Sequence, residues 1–291
     1  MRGNAVKHEL IAPGSLPAVL DLLTSAPGQW TPIAGGTELM VAFAAGRLTA
    51  DKLVSLWGIE ELRFIDTRPD RIAIRAATTF SDLRANPIVA SEFPLLDKSA
   101  GWIGSIANQT RATLGGNLVN GSPAADSSPA LLVYDAEIEL ISSRGKRRMP
   151  YREFHTGYKQ NAMTADELLY AIHLPRRFAQ HRQYLRKVGT RRAMAISKVA
   201  LGATARVKDD VIEEIRVAAA SLAPFPVRLF KTEAVLVGQT LTSNIIETAR
   251  KALLAEAQPI DDIRSTAQYR KTVGANLLAE FLLTLNREPM A

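Results

Sequence analysis

The sequence contains no cysteine. This absence excludes disulfides, thiolate catalysis, cysteine zinc sites and an iron–sulfur cluster held by the chain's own thiolates. Histidine is scarce as well, and the spacing of the four residues matches no metal motif such as HExxH. We therefore interpret all of them as structural or surface residues and expect no metal site: His8, His155, His173 and His181.

Long apolar runs are also missing. The first residues, MRGNAVKHELIAPG, lack the apolar centre of a signal peptide, and no later run approaches the length that crosses a bilayer. We therefore expect a cytoplasmic protein with no membrane span. Hydrophobic residues make up 47% of the 291 positions and charged residues 22%, so we expect a packed core rather than disorder.

Negative charge is in deficit, and the formal net charge is +7. Two runs hold much of the positive charge, RGKRRMPYR at residues 144–152 and RRFAQHRQYLRKVGTRR at residues 176–192. Aromatic residues are few in these runs and no nucleic-acid reader motif is present, so we do not expect nucleic acid as a partner. We interpret both runs as solvated surface or as a face that docks on another protein.

Apolar spacing predicts a series of regular elements. Helices are predicted over residues 15–26, 227–237, 243–257 and 265–285. Strands are predicted over residues 30–34, 52–56, 62–66, 71–76, 136–142 and 167–174, and as a hairpin of residues 196–207 with 211–220. A helical patch is predicted from Thr79, with Ser81 as its cap. By contrast, TLGGNLVNGSPAADSSP at residues 113–129 has the composition of a loop.

This loop shares a feature with AGGTELM at residues 34–40, because each contains adjacent glycines. Such pairs let the backbone take positive φ and let a ligand approach closely, while successive N–H groups form a nest for anions. Each pair follows an apolar stretch and precedes a small polar residue, Thr37 or Asn117. Together the two segments predict a site for the two halves of a pyrophosphate.

Standard nucleotide motifs do not account for these segments. No G-x-G-x-x-G is present, and residues 116–121 have P-loop spacing but are followed by Ser122-Pro123 where Lys-Ser/Thr is required. In the same stretch, Asp126 has two interpretations. Its carboxylate suits ribose hydroxyls, and it equally suits a cap for the turn at residues 127–129.

The paired motifs carry a family resemblance. AGGTELM followed by TLGGNLVNGSPAADSSPAL resembles the FAD-binding subunit of the molybdenum hydroxylases, which is the medium chain of carbon monoxide dehydrogenase-like enzymes and is similar to the flavin domain of xanthine dehydrogenase. RKVGTRRAMAISKVALGATARV at residues 186–207 resembles the start of that family's C-terminal domain. Where the family often has Gln-Ile-Arg, this chain has Gln109-Thr110-Arg111. The cysteine-bearing insertion of some members is excluded here.

The resemblance implies an α+β fold in two domains. Residues 1–177 would form a FAD-binding domain of the vanillyl-alcohol-oxidase-like type, with subdomains at about 1–56 and 57–177. Residues 178–291 would form a C-terminal domain with an antiparallel sheet and helices. A shift to basic, proline-bounded composition near residues 175–181 places a boundary at the same point.

The resemblance also implies the FAD site. Residues 32–39 would wrap the diphosphate from one side, and residues 113–117 would hold it from the other through backbone N–H groups and the Thr113 hydroxyl. Asp126 would take the ribose or adenosine side. The remaining three would lie at or near the flavin. The full set is Pro32, Ile33, Ala34, Gly35, Gly36, Thr37, Glu38, Leu39, Ile103, Thr113, Leu114, Gly115, Gly116, Asn117, Asp126, Leu169 and Lys187.

By the same resemblance the chain would be an electron-transfer subunit without an acid–base pair of its own. A small subunit with [2Fe–2S] clusters would supply electrons from a molybdopterin-binding large subunit, in a dimer of heterotrimers. NAD, dioxygen or a quinone would receive them. Two alternatives stay open: a self-standing FAD-dependent oxidoreductase with its own organic substrate, and a non-enzymatic nucleotide- or protein-binding module.

Overall fold

Three sheets organise the chain in the computed structural model, which describes residues 7–191 and 194–285. The first sheet is parallel, in the strand order β1-β3-β2. Its strands and helices are β1 (Glu9–Ile11), α1 (Leu16–Ser25), β2 (Trp30–Ile33), α2 (Leu39–Ala44) and β3 (Lys52–Ser55). Helix α1 begins as predicted, because the Ser15 side chain accepts a hydrogen bond from the Ala18 N–H.

The second sheet is antiparallel, with the strand order β4-β5-β10-β6-β7. Its strands are β4 (Ile65–Thr67), β5 (Arg71–Arg75), β6 (Glu137–Ser142), β7 (Gly145–Pro150) and β10 (Leu168–Pro175). Short helices join β5 to β6: α3 (Phe80–Ala85), α4 (Pro87–Glu92), α5 (Pro94–Ala100), α6 (Ile106–Gln109), α7 (Leu114–Val119) and α8 (Ser128–Val133). A small hairpin of β8 (His155–Gly157) and β9 (Gln160–Asn161) precedes β10.

The third sheet is also antiparallel, and three helices follow its strands. These elements are β11 (Arg182–Val188), β12 (Val199–Lys208), β13 (Val211–Ala220), β14 (Val227–Arg228), α9 (Phe230–Ala234), α10 (Ser243–Glu256) and α11 (Ala267–Leu285). The predicted hairpin and the two long C-terminal helices are therefore present, and the predicted α+β arrangement is confirmed.

Each sheet has its own apolar core, and the cores meet. Apolar residues of α1 pack with Leu168 and Ala171 of β10, so the first sheet lies against the second. Leu185 of β11 and Ala218 of β13 belong to the core of the second sheet. The third sheet therefore packs directly on the N-terminal domain.

The predicted cap of α3 was wrong. Thr79, not Ser81, is the N-cap: its side chain accepts from the Asp82 N–H at 3.1 Å, and the Asp82 carboxylate accepts from the Thr79 N–H at 2.9 Å. This reciprocal capping box satisfies two backbone donors, which a cap at Ser81 would leave unpaired.

Two further segments differ from the sequence prediction. The stretch at residues 113–129 contains helices α7 and part of α8, because the Thr113 side chain caps α7 at the Gly116 N–H. The helix predicted over residues 227–237 is instead β14 and the short helix α9. Val227 pairs with Ala219 at the edge of the third sheet, and this pairing outweighs the helical pattern.

The two basic runs form strands, and most of their cations have carboxylate partners inside the chain. In β7, Lys146 and Arg148 pair with Glu139, while Arg147 pairs with Glu167. In the second run, Arg176 pairs with Glu92 and Arg177 with Asp135, among others. These runs are therefore largely neutralised locally, and the sign of their charge says little about a docking partner.

Asp135 binds three arginines, and two of them, Arg216 and Arg228, belong to the C-terminal domain. It lies between α8 and β6 at φ 50°, and its carboxylate accepts from Arg177 at 2.6 Å, Arg216 at 2.8 Å and Arg228 at 2.6 Å. Arg216 also contacts Glu214. Burial opposes the charged form of Glu214, but hydrogen bonds from Arg216 and His181 outweigh it and lower the pKa of Glu214 to about 2.

We expect Asp135→Asn to lower the free energy of unfolding by about 2–3 kcal/mol, because two largely buried guanidinium groups, those of Arg216 and Arg228, and the half-exposed one of Arg177 lose their shared carboxylate. Asparagine tolerates the positive φ, so the backbone is not the cause of the loss. Urea unfolding measures the effect. Asp70→Asn is the control, because Asp70 is 68% exposed beside Arg71 and its pair is worth at most about 1 kcal/mol. Equal losses in the two variants would contradict this account of the interface.

Candidate cofactor-binding site

A cleft of about 660 Å³ lies between the first and second sheets. Its walls come mainly from four parts of the chain: the end of β2 with the segment into α2, the segment around α7, the β8–β9 hairpin, and the start of β10. We call residues 34–39 the first glycine segment and residues 113–117 the second glycine segment. Both segments face this cleft, as the sequence predicts for a shared ligand.

The structure brings most of the predicted site residues together. The cleft is lined by Pro32, Ala34, Gly35, Gly36, Thr37, Glu38, Leu39, Ile103, Thr113, Gly115, Gly116, Asn117 and Leu169. Four predicted residues lie outside the lining. Ile33 ends β2, and Leu114 is fully buried in the core. Asp126 and Lys187 contact each other behind the second glycine segment.

The first glycine segment offers a run of free donors. None of the amide N–H groups of residues 34–39 donates a hydrogen bond to any residue that the structure describes. Gly36 has φ 72°, in the left-handed region that glycine adopts without strain. Half-buried backbone donors need a partner, so a segment of this kind in a cleft wall is suited to bind an anion.

Gly35 is required by a close backbone contact. A Cβ atom at this position would lie 1.7 Å from the carbonyl oxygen of Arg111 and 3.1 Å from the nitrogen of Ala112. The first glycine segment therefore packs directly on the backbone that leads into the second. This contact leaves no room for any side chain.

The second glycine segment differs from the expected clamp, because the N–H groups of residues 114–117 already have partners. The Leu114 N–H donates to Thr78, the Gly115 N–H to Ala76, and the Gly116 and Asn117 N–H groups to the side chain and carbonyl of Thr113. These bonds build α7 and attach it to the end of β5. The backbone N–H groups of residues 114–117 are therefore not available to a ligand, and the side chains of Thr113 and Asn117 are.

Asn117 is oriented by its neighbour. The Ser127 hydroxyl donates to Asn117 Oδ1 at 2.7 Å, and Asn117 lines the cleft. Because its carbonyl oxygen accepts this bond, the amide NH₂ remains available as a donor.

Asp126 is held by the third sheet. Its carboxylate accepts from Lys187 Nζ and from the Ser197 hydroxyl, each at 2.5 Å. Burial raises the pKa of Asp126, and the bonds from Lys187 and Ser197 oppose that shift. Asp126 accepts no hydrogen bond from residues 127–129, so the alternative interpretation as a cap for that turn is wrong. Contact with a ribose stays a prediction.

Several lining residues were missed from the sequence. They include Trp30, Leu56, Val119, Lys159, Met163 and Glu167. The aliphatic and aromatic members give the cleft apolar walls suited to ring systems. The β8–β9 hairpin, which carries Lys159 at φ 52°, was the unrecognised element. Its GYK turn is the one local signal that could have indicated it.

Two carboxylates and one cationic side chain stand among the described lining residues. Arg147 neutralises Glu167 with bonds of 2.6 and 2.7 Å to its two oxygens. Glu38 pairs with Lys159 at 3.4 Å across the cleft mouth. Neither carboxylate stands beside a free general acid or base.

Residues 7–191 and 194–285 contain neither a candidate metal site nor a candidate membrane span. No group of three or more His, Asp or Glu side chains there is arranged to hold a metal ion. None of the helices there combines the length and apolarity needed to cross a bilayer.

The fold and cleft define a protein that binds an anionic nucleotide cofactor, and comparison with known families makes this specific. The model for the FAD binding domain in molybdopterin dehydrogenase matches residues 6–177. The model for the CO dehydrogenase flavoprotein C-terminal domain matches residues 184–285. The chain belongs to the family of FAD-binding subunits of molybdopterin dehydrogenases. It is an oxidoreductase subunit and its cofactor is FAD, which confirms the resemblance seen in the sequence.

Individual relatives agree with this assignment. The xanthine dehydrogenase FAD-binding subunit of Escherichia coli O157:H7 is 31% identical over 88% of both chains. The nicotinate dehydrogenase FAD-subunit of Eubacterium barkeri is 28% identical over 82% of both. Among solved structures, the carbon monoxide dehydrogenase of Hydrogenophaga pseudoflava superposes with a TM-score of 0.91 at 25% identity, over 96% of both chains.

We expect Gly35→Ala to lower the free energy of unfolding by about 3 kcal/mol, because the added Cβ must displace the Arg111 backbone. Urea unfolding of the full chain measures the change. Gly14→Ala is the matched control, since no atom lies within 4 Å of the added carbon, and we expect a change within about 0.5 kcal/mol. A Gly35 variant as stable as the control would contradict the close contact.

Proposed function

We propose that the cleft holds FAD with its diphosphate on the first glycine segment. The unpartnered N–H groups of residues 34–39 are the observation that carries this placement. Thr113 and Asn117 would add side-chain donors from the opposite wall. Apolar residues such as Ile103, Leu169 and Val119 would contact the ring systems. Contacts of Ile33, Leu114, Asp126 and Lys187 with FAD stay predictions.

The fit between cleft and cofactor rests on two features of the chain. A dinucleotide needs close backbone approach at its phosphates, and the first glycine segment, with its unpartnered N–H groups, supplies it. It also needs apolar walls for two rings, which the lining provides. The cavity volume of about 660 Å³ is in the range of cofactor sites.

We further propose that the chain transfers electrons within a larger complex. Bound FAD can accept electrons singly and release them as a pair, while the protein binds and orients it. Of the two lining carboxylates, Glu167 is neutralised by Arg147, and Glu38 is largely exposed at the mouth of the cleft, so the described lining places no free base in its interior. This supports electron transfer over a self-standing oxidoreductase.

The partners follow from the family and the composition. With no cysteine, the chain cannot itself ligate an iron–sulfur cluster through thiolates. We therefore propose a small subunit with [2Fe–2S] clusters as the donor and a molybdopterin-binding large subunit as the site of substrate oxidation, in a dimer of heterotrimers. NAD, dioxygen or a quinone would accept the electrons. The cytoplasmic location stays a prediction.

We expect Gly116→Leu to abolish FAD retention, because residue 116 is exposed on the cleft wall and a leucine there occupies cofactor space. Flavin absorbance of the purified chain, and FAD released on denaturation, are the measurements. Gly14→Leu is the control and should retain FAD, since Gly14 is not among the residues that line the cleft and no atom lies within 4 Å of a Cβ added there. Normal FAD content in the Gly116 variant would refute the placement.

Co-purification from the native source tests the proposed complex. We expect molybdenum, iron and FAD in one assembly at fixed ratios. The isolated chain should not turn over an organic donor, whereas the assembly should. Turnover by the isolated chain would instead favour the self-standing oxidoreductase, and nucleotide binding without any flavin would favour the binding module.

A further inference from the structure

The first glycine segment alone lacks the positive charge needed to balance the diphosphate proposed to bind there. A diphosphate brings two negative charges, and the backbone N–H groups of the first glycine segment supply only partial positive charge. Glu38 belongs to this same segment, and its side chain is 60% exposed. A carboxylate this close opposes the entry of a diphosphate unless a cation compensates it.

Lys159 is the cation in the right place. It is the cationic side chain among the described residues that line the cleft. Its Nζ lies 3.4 Å from Glu38 Oε1, although 121 positions separate the two residues in sequence. Lys159 therefore reaches across the mouth from the β8–β9 hairpin to the first glycine segment.

The backbone of Lys159 is fixed on the opposite side of the mouth. A Cβ at Gly121, just beyond α7, would lie 3.1 Å from the Cα of Lys159, so the two chain segments are in close contact. Lys159 has φ 52°, a backbone conformation that is uncommon for residues other than glycine and that defines the shape of the turn. A fixed backbone with a long, half-exposed side chain allows the ammonium group to change partners without moving the hairpin.

We propose that Lys159 exchanges Glu38 for the cofactor diphosphate when FAD enters, and so supplies the full positive charge that the N–H groups lack. The inference rests on the proposed function. Exposed pairs such as Glu38–Lys159 contribute little to stability. A charge-assisted bond to a phosphate group is stronger, so the exchange favours the bound state. Glu38 then turns to solvent, and its negative charge weakens the binding of the cofactor diphosphate.

The test uses the full-length chain freed of flavin, with FAD and riboflavin as the two probes. We expect Lys159→Met to weaken FAD binding by about tenfold, and Lys159→Arg to stay within about threefold. Riboflavin has no phosphate, so its affinity should not change. The control is Lys208→Met, an exposed lysine at the end of β12, which should bind both probes like wild type.

A second pair of variants distinguishes charge compensation by Lys159 from a purely structural role, in which the Glu38–Lys159 ion pair only holds the two sides of the cleft mouth together. Under the proposal, Glu38→Gln tightens FAD binding a few-fold, and Lys159→Met still weakens it about tenfold in the Glu38→Gln background. If the ion pair only holds the mouth together, both single variants weaken binding and the double variant is no worse than either. That pattern would overturn the proposal.

Failure of this inference is distinguishable from failure of the proposed function. Wild-type chain that binds no FAD at all overturns the proposed function and this inference with it. Wild-type chain that binds FAD, together with Lys159→Met binding equally well, overturns only the role of Lys159. Equal loss of FAD and riboflavin in Lys159→Met also overturns it, because the effect would not depend on phosphate.

Discussion

The backbone contact between Gly35 and the Arg111 carbonyl fixes how the two walls of the cleft meet. It is the point where the first sheet touches the chain that enters the second glycine segment. That chain is itself tied to the end of β5, since Phe80 donates to Ala112 and Leu114 donates to Thr78. The geometry of the cleft therefore follows from one position that admits no side chain and from a few main-chain bonds behind it.

The two glycine pairs look alike in sequence but serve different needs. In the first segment the backbone N–H groups have no partners, and Gly36 adopts a positive φ. In the second segment Gly115 provides clearance, because a Cβ there would lie 2.6 Å from that of Ala76, and its N–H is already bonded. Composition alone cannot separate these roles, since both require the same residue.

Sequence reasoning succeeded where the determining interactions are local. Helices α1, α10 and α11 follow from apolar periodicity and caps, and the two glycine segments supply about a third of the residues that line the cleft. It failed where distant segments decide the outcome. Lys159 reaches the cleft only because a hairpin folds against Gly121, and β14 replaces a helix because an edge strand lies beside it. Likewise, the basic runs show their charge in the sequence but not their carboxylate partners.

The C-terminal domain influences the cleft through contacts rather than by lining it. Lys187 and Ser197 hold the Asp126 carboxylate. The residue after Asp126 is Ser127, which donates a hydrogen bond to Asn117, and Asn117 faces the cleft. Taking the Asp126–Lys187 pair out of water is costly, so the two charges must stay together once buried. That requirement makes the pair a fixed brace between the third sheet and the second glycine segment. The buried carboxylate of Asp126 is thus explained by the contact that it makes between the third sheet and the second glycine segment, whether or not it also contacts a ligand.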